Sequence, residues 1–262
     1  MHRAAQTLAV AFPSHTPRSM TGDVELGVAA ALASGRRRPD AVTAVLVHVF
    51  SEIGGLATEI GDVWRLASGS REWLLQRAAA LFWHDAGWFQ ARCAHCDAAY
   101  DLPLKLASAP RKPAGRPFPT VTVRTSLGAR QFEVPNGLHE ADLAKDSPHA
   151  PERRLVALCG LGRDAQADAD GFTEGDLRVI EDALDAAAPD VADEASIICP
   201  ACKTSTVARI DPLDFAFPDM QGILRDVHAL ASRYHWSEDA ILSLPSARRR
   251  AYVRLIGQEA RR

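Results

Sequence analysis

Two cysteine pairs, Cys93-Ala94-His95-Cys96 and Cys199-Pro200-Ala201-Cys202, constrain this chain more than any other feature. Two residues between thiolates let both sulfurs address one ion while the intervening amides turn toward them, and two such knuckles complete a tetrahedral shell of four cysteines. Each pair supplies half of a site. Each also leads into a stretch that alternates apolar and polar residues, "AAYDLPLKL" after the first and "KTSTVARI" after the second, so each reads as a knuckle opening a strand. The separation of about a hundred residues far exceeds the usual linker between the halves of a zinc ribbon.

The expectation is one shared structural Zn2+ held by Cys93, Cys96, Cys199 and Cys202. A redox use of "CPAC" competes, but such a motif opens a helix, whereas the sequence that follows is β-branched and alternating. Mixed sites would draw on His84 or on His95, whose ring is expected to face solvent from inside the knuckle. A catalytic zinc keeps three protein ligands and an open position. Four cysteines close the shell, so catalysis by this metal is not expected. Cys159, in "LVALCGL", lies on an apolar helical stripe and reads as a small buried hydrophobe.

Periodicity places these knuckles in an α+β fold with a helical N-terminal part, a small β region organised by the four-cysteine zinc knuckle pair, and a C-terminal helical hairpin. Residues 1–21 read as a ragged leader and 22–92 as helical, with 93–135 and 195–212 forming the zinc-linked β region. A helical and acidic insertion, 136–194, separates those two β segments, and C-terminal helices fill 213–262. The 262 residues, 47% apolar and 24% charged, suit one or two globular units. Cysteines gathered in pairs suit a reducing compartment better than a disulfide framework. No window approaches the roughly 18 apolar residues that span a bilayer. No membrane association is therefore expected, and a cytoplasmic location is.

Motifs for other chemistry are missing: there is no G-x-x-x-x-G-K-[ST], no G-x-G-x-x-G, no G-x-S-x-G and no H-E-x-x-H. The reading is a non-enzyme. Residues 164–194 carry eleven acidic side chains against Arg178 alone, a solvated helix face or else a docking surface for a basic partner. Tyr234, Trp236, Arg248, Arg249 and Arg250, on the last helices, are the candidate partner-binding residues, with packing between those helices as the simpler account of the aromatics.

The order of these pieces resembles the T4-type phage baseplate hub assembly protein family, found with contractile tails and related injection systems. "WRLASGSREWLLQRAAALFW" is similar to the family's Thr/Ser-Gly-Asp-Arg-x-x-Leu-Leu segment ahead of a cysteine pair, with Ser70 where that segment is acidic. "VTVRTSLGARQFEVPNGLHEADL" matches a passage of strand, Pro-x-Gly and short helix. "ICPACKTSTVARIDPLDF", leading into "ILRDVHALASRYHWSEDAILSLPSARRRAYVRLI", is the most specific stretch, and the likeness covers about residues 22–258 apart from 164–194. It implies a non-enzymatic assembly factor, acting as a chaperone, or a minor component of the baseplate hub. Its partners would be spike, tube or tape-measure proteins in the bacterial host cytoplasm, with incorporation into the tail particle left open.

A zinc-ribbon nucleic-acid-binding regulator is the alternative. It requires a cationic stripe near the knuckles, for which Arg111, Lys112, Arg116 and Arg124 are the candidates. Sparse stacking aromatics there and a net charge of −3 speak against nucleic acid as a partner.

Overall fold

The computed structural model describes residues 12–82, 87–113, 118–145 and 150–259. Most of the expected leader, together with His84 and Arg116, lies outside the described residues. The architecture is α+β, with helices at both ends and several two-stranded hairpins between them.

From the N-terminus, β1 (His15–Pro17) precedes α1 (Gly22–Ala33) and α2 (Arg38–Val49). Pro39 sits in the first turn of α2, where its missing N–H has no helical partner to lose. β2 (Phe50–Ile53) and β3 (Leu56–Ala57) are joined by Gly54 and Gly55, at φ 66° and 80°, and lead to α3 (Ile60–Arg65) and α4 (Ser68–Phe82). β4 (Gly87–Arg92), β5 (Ala99–Leu104), β6 (Arg111–Lys112), β7 (Thr120–Thr125) and β8 (Gly128–Glu133) come next. Then follow the helices α5 (Gly137–Leu143), α6 (Pro151–Cys159), α7 (Ala165–Gly171) and α8 (Glu174–Ala187). The chain continues through β9 (Asp190–Val191), β10 (Glu194–Ile198) and β11 (Ser205–Arg209) to α9 (Met220–Tyr234), α10 (Glu238–Leu242) and α11 (Ser246–Glu259). Among the described residues no helix is long and apolar enough to cross a membrane.

These elements form two compact units. The first takes the described residues up to Ser14 with Ile53–Leu74 and Pro110–Val191. Its core sets the β7–β8 hairpin against α6 and α8: Val123 and Phe132 from the strands meet Phe172, Leu177, Ile180 and Leu184. Spacing of three and four residues puts the last three on one face of α8. That helix begins with a capping box in which Thr173 accepts from the Asp176 amide while Asp176 accepts from the Thr173 amide. Asp176 also accepts from Ser126 N at 2.7 Å and from Ser126 Oγ at 2.6 Å, which ties the start of α8 to the turn of the hairpin. The Ser126 hydroxyl and amide, then the Thr173 groups, hold its carboxyl well below the usual range.

The second unit takes His15–Glu52, Leu75–Ala109 and Ala192–Arg262. Here α1, α9, α10 and α11 pack around Ala29, Ile223, Val227, Leu230 and Ile241. Asp219 caps α9 by accepting from Gly222 N at 2.7 Å, and His235 ends it in the left-handed region at φ 58°. A smaller apolar cluster, including Phe89, Leu106, Ile210 and Phe215, accompanies the β4–β5 and β10–β11 hairpins.

One corner is built twice, once in each unit. In the first, Leu66-Ala67-Ser68-Gly69-Ser70-Arg71 carries α3 into α4, Ser68 N donates to Pro135 O at 2.9 Å, and Ala67 bridges Asn136. In the second, Leu244-Pro245-Ser246-Ala247-Arg248-Arg249 carries α10 into α11, Ser246 N donates to Met20 O at 2.8 Å, and Pro245 bridges Thr21. The arginine closing each turn is buried, Arg71 with its guanidinium 3.5 Å from Glu140 and Arg249 paired with Glu25. Both acids sit four residues past the cap of the receiving helix, in Asn136-Gly137-x-x-Glu140 and Thr21-Gly22-x-x-Glu25. A Cβ on Gly137 would lie 2.6 Å from Arg71 Cζ, and one on Gly22 2.7 Å from Arg249 Nη1. Only glycine allows that approach.

Three boundaries differ from the sequence expectation. Residues 87–92 form strand β4 where a helix to about Ala91 was expected; Trp88, Gln90 and Arg92 are exposed while Phe89 and Ala91 turn inward, a period of two within a run too short to outweigh the helical pattern before it. Phe50, expected on a helix face, starts β2, because the chain extends after Val49. Hairpin β7–β8 shares its core with α6 and α8, so residues 110–191 belong to one unit, with no separate insertion at 136–194.

Candidate metal centre

Each cysteine pair forms the turn of an antiparallel hairpin. β4 pairs with β5 from Gly87↔Leu104 to Arg92↔Ala99, and β10 pairs with β11 from Glu194↔Arg209 to Ile198↔Ser205. The two turns share one backbone pattern. Cys93 N donates to Ala98 O at 3.1 Å and Asp97 N to Cys93 O at 2.9 Å; Cys199 N donates to Thr204 O at 2.9 Å and Lys203 N to Cys199 O at 3.0 Å. Asp97 at φ 55° and Lys203 at φ 61°, each following the second cysteine of its pair, take the left-handed conformation that closes so tight a turn.

The knuckles face each other within the second unit. All four Sγ atoms lie within 4.8 Å of one another, and both the Cys93–Cys202 and Cys96–Cys199 separations are 3.8 Å. A metal–sulfur bond of about 2.3 Å in a tetrahedron requires sulfurs about 3.8 Å apart. The donor set and its spacing therefore fit a four-coordinate thiophilic ion. The first cysteine of each pair is buried and the second exposed. Beneath the buried two, Tyr100 packs with Ala91, Leu102 and Ile197 as an apolar floor.

Contacts between the knuckles align them further. Ala94 N donates to Thr206 Oγ1 at 3.3 Å, and His95 Nε2 lies 3.2 Å from Ser205 O. His95 is thus held against the opposite hairpin by its ring and offers its amide, 3.4 Å away, to Cys93 Sγ. That amide lowers the Cys93 pKa. The Thr204 hydroxyl and amide bring Cys202 down to about 6. At Cys96 the Ala98 amide acts downward, but Cys202, then desolvation and the other thiols, outweigh it and push the group up to about 11. Four sulfurs this close cannot all ionise without a cation among them. Burial, then the charges of Cys93 and Cys199, raises the Tyr100 phenol.

The remaining sequence candidates fall elsewhere. Arg111, Lys112 and Arg124 are exposed on strands of the first unit, which does not contain the four knuckle cysteines. Tyr234, Trp236 and Tyr252 stack against one another with ring centroids 5.0 to 5.9 Å apart, on the apolar cluster of the C-terminal helices. Arg248 is exposed, 5.8 Å over the Tyr252 ring, and Arg250 is half-buried against Glu25. Arg249 cannot serve a docking surface: it is 1% exposed and its guanidinium binds Glu25 and, at 3.3 Å, Asp226.

Cys159 is buried as expected, with its Sγ 3.6 Å from His139 Nδ1, and His139 Nε2 lies 3.1 Å from Glu133 Oε1. The order thiol, imidazole, carboxylate imitates a nucleophile triad. Burial, then Glu133, pushes the thiol up to about 12 and no surface reaches it, so the group acts in packing. Tyr100 and the two arginine corners are the features that sequence reasoning missed; the paired strings L-[AP]-S-[GA]-x-R and [NT]-G-x-x-E carry the signal for the corners. Comparison with family models, with curated proteins and with solved structures gives no match in any of the three.

Proposed function

We propose that this protein is a non-enzymatic assembly factor, or a minor component, of a phage-like contractile-tail baseplate hub, held together by one structural Zn2+. The observation that carries the structural role is the closed set of four sulfurs drawn from two hairpin turns about a hundred residues apart. With four protein ligands a tetrahedral zinc keeps no position for water or substrate, and its contribution is to cross-link the chain. Zinc is favoured among thiophilic ions because closed knuckle pairs with four cysteine ligands are its usual structural site.

The assembly reading is supported by the sequence likeness to the baseplate hub family and by what its matching stretches build. "LASGSR", "VPNGLHE" and "LPSARR", from three of those stretches, supply the two arginine turns and one of the receiving helices. The protein would act in the cytoplasm of the bacterial host, on spike, tube or tape-measure proteins. Co-expression of the full chain with each of these tail proteins, followed by affinity purification and sizing, tests it. A stoichiometric complex with at least one is expected; recovery of none, from cells that assemble tails with the protein present and lose them when its gene is deleted, would point to action without direct contact. Normal tails in the deletion strain would remove the reading altogether.

A further inference from the structure

In the first unit, α6 and α8 leave a groove of about 530 Å³ that the metal centre does not use. Its floor is apolar, with Leu177, Leu184 and Val156 buried and Leu143, Leu155 and Pro135 half-buried. Its rim is acidic: Glu152, Glu174, Glu181 and Asp185 are all exposed. Arg153 also lines the groove but is occupied, donating to Ala169 O at 2.7 Å, to Phe172 O at 2.8 Å and to Glu174 at 3.2 Å. Lys112 donates to the backbone carbonyl of Asp185, and Arg178 is the remaining cation of the lining. Glu152, Glu181 and Asp185 have no ion pair among the described residues.

Two of these acids, Glu181 and Asp185, are placed unfavourably for α8, whereas Glu152 lies in the first turn of α6, where the dipole favours it. Glu181 and Asp185 are four residues apart on α8, where like charges repel, and Asp185 stands in a last turn that has no basic residue. Negative charge at a helix C-terminus opposes the macrodipole. Arg178, three residues before Glu181, is the one cation of α8, and a cationic ligand would offset the repulsion it leaves.

We infer that this groove binds a basic amphipathic helix of a partner protein, with leucine-like side chains on the floor and lysine or arginine on the acidic rim. The inference is independent of the baseplate reading and of the metal. Two observations choose the occupant: the apolar floor excludes a purely ionic ligand, and the rim charge excludes an acidic one.

The test uses the full-length protein and three labelled synthetic helices of equal length: one with leucine and lysine segregated to opposite faces, one with glutamate in place of lysine, and one with alanine in place of leucine. Fluorescence anisotropy is expected to show saturable one-to-one binding of the leucine–lysine helix alone, weakening as salt rises. E181K/D185K, at exposed positions, should reduce that affinity about tenfold or more, and Leu155→Ser should reduce it with the rim charge intact. Circular dichroism is the control for folding of both variants. No saturable binding to the wild type, equal binding of the leucine-free helix, or full affinity in E181K/D185K each overturns the inference. Self-association of the unliganded protein that E181K/D185K abolishes would also overturn it, by making a second copy of the chain the occupant.

Discussion

At Gly137 and Gly22 a single hydrogen atom decides whether a buried arginine fits. A methyl group at either position lands within 2.7 Å of the guanidinium facing it, so Gly137→Ala and Gly22→Ala should each destabilise by about 1–3 kcal/mol. Urea titration of the two variants measures this; unchanged midpoints would contradict the close approach. His139 sets a pH limit of its own. Burial lowers its pKa despite the opposing effect of Glu133, so the folded protein keeps the ring neutral while the unfolded chain protonates it near pH 6.5. Stability is therefore full above that value and declines as pH falls below it. His139→Gln should flatten the pH dependence of the melting temperature below about pH 6.5; an unaltered slope would show the ring carries no such penalty. The four metal-ligand candidates were legible in the sequence because a C-x-x-C turn is local chemistry. Arg249 was not legible: its place inside the protein depends on Glu25, 224 residues away, and an arginine beside two others reads as solvated until that partner is known.

Among the elements, the knuckle hairpins show how far periodicity reaches. The strands after each pair alternate cleanly and were expected, as was the strand before Cys199. β4 was hidden because Trp88 and Phe89 follow a strongly helical run and suit either structure. The acidic segment likewise hid its internal logic. Asp168 binds Arg130 at 2.7 Å and Asp176 caps α8, so part of what looked like surplus charge is committed to the fold. Asp176→Asn, keeping shape and removing charge, should destabilise by about 1–2 kcal/mol at neutral pH. Because the native carboxyl pKa is depressed, the wild-type advantage is present above the ordinary aspartate value and disappears as pH falls through the native one. An equal gap between the two proteins at pH 7 and at strongly acid pH would contradict the hydrogen-bonded carboxylate.

For the whole molecule, each compact unit joins segments far apart in sequence, and each does so with a different set of contacts. The first gathers Ile53–Leu74 with Pro110–Val191 around an apolar core and the Arg71 corner. In the second, the knuckles connect Leu75–Ala109 to Ala192–Arg262, and the Arg249 corner connects α1 to α11. Chelation should therefore be felt first in the second unit. Hydrogen exchange after treatment with a strong chelator is expected to quicken in β4, β5, β10 and β11 while α8 keeps its protection; uniform quickening would mean the units do not open separately. One zinc ion is expected to join the two knuckles. Elemental analysis of protein purified under reducing conditions tests it most directly: about one equivalent of zinc per chain is predicted for the wild type and a small fraction of that for C199S/C202S. Wild-type protein that emerges without metal, or a double variant that keeps its full equivalent, would contradict it.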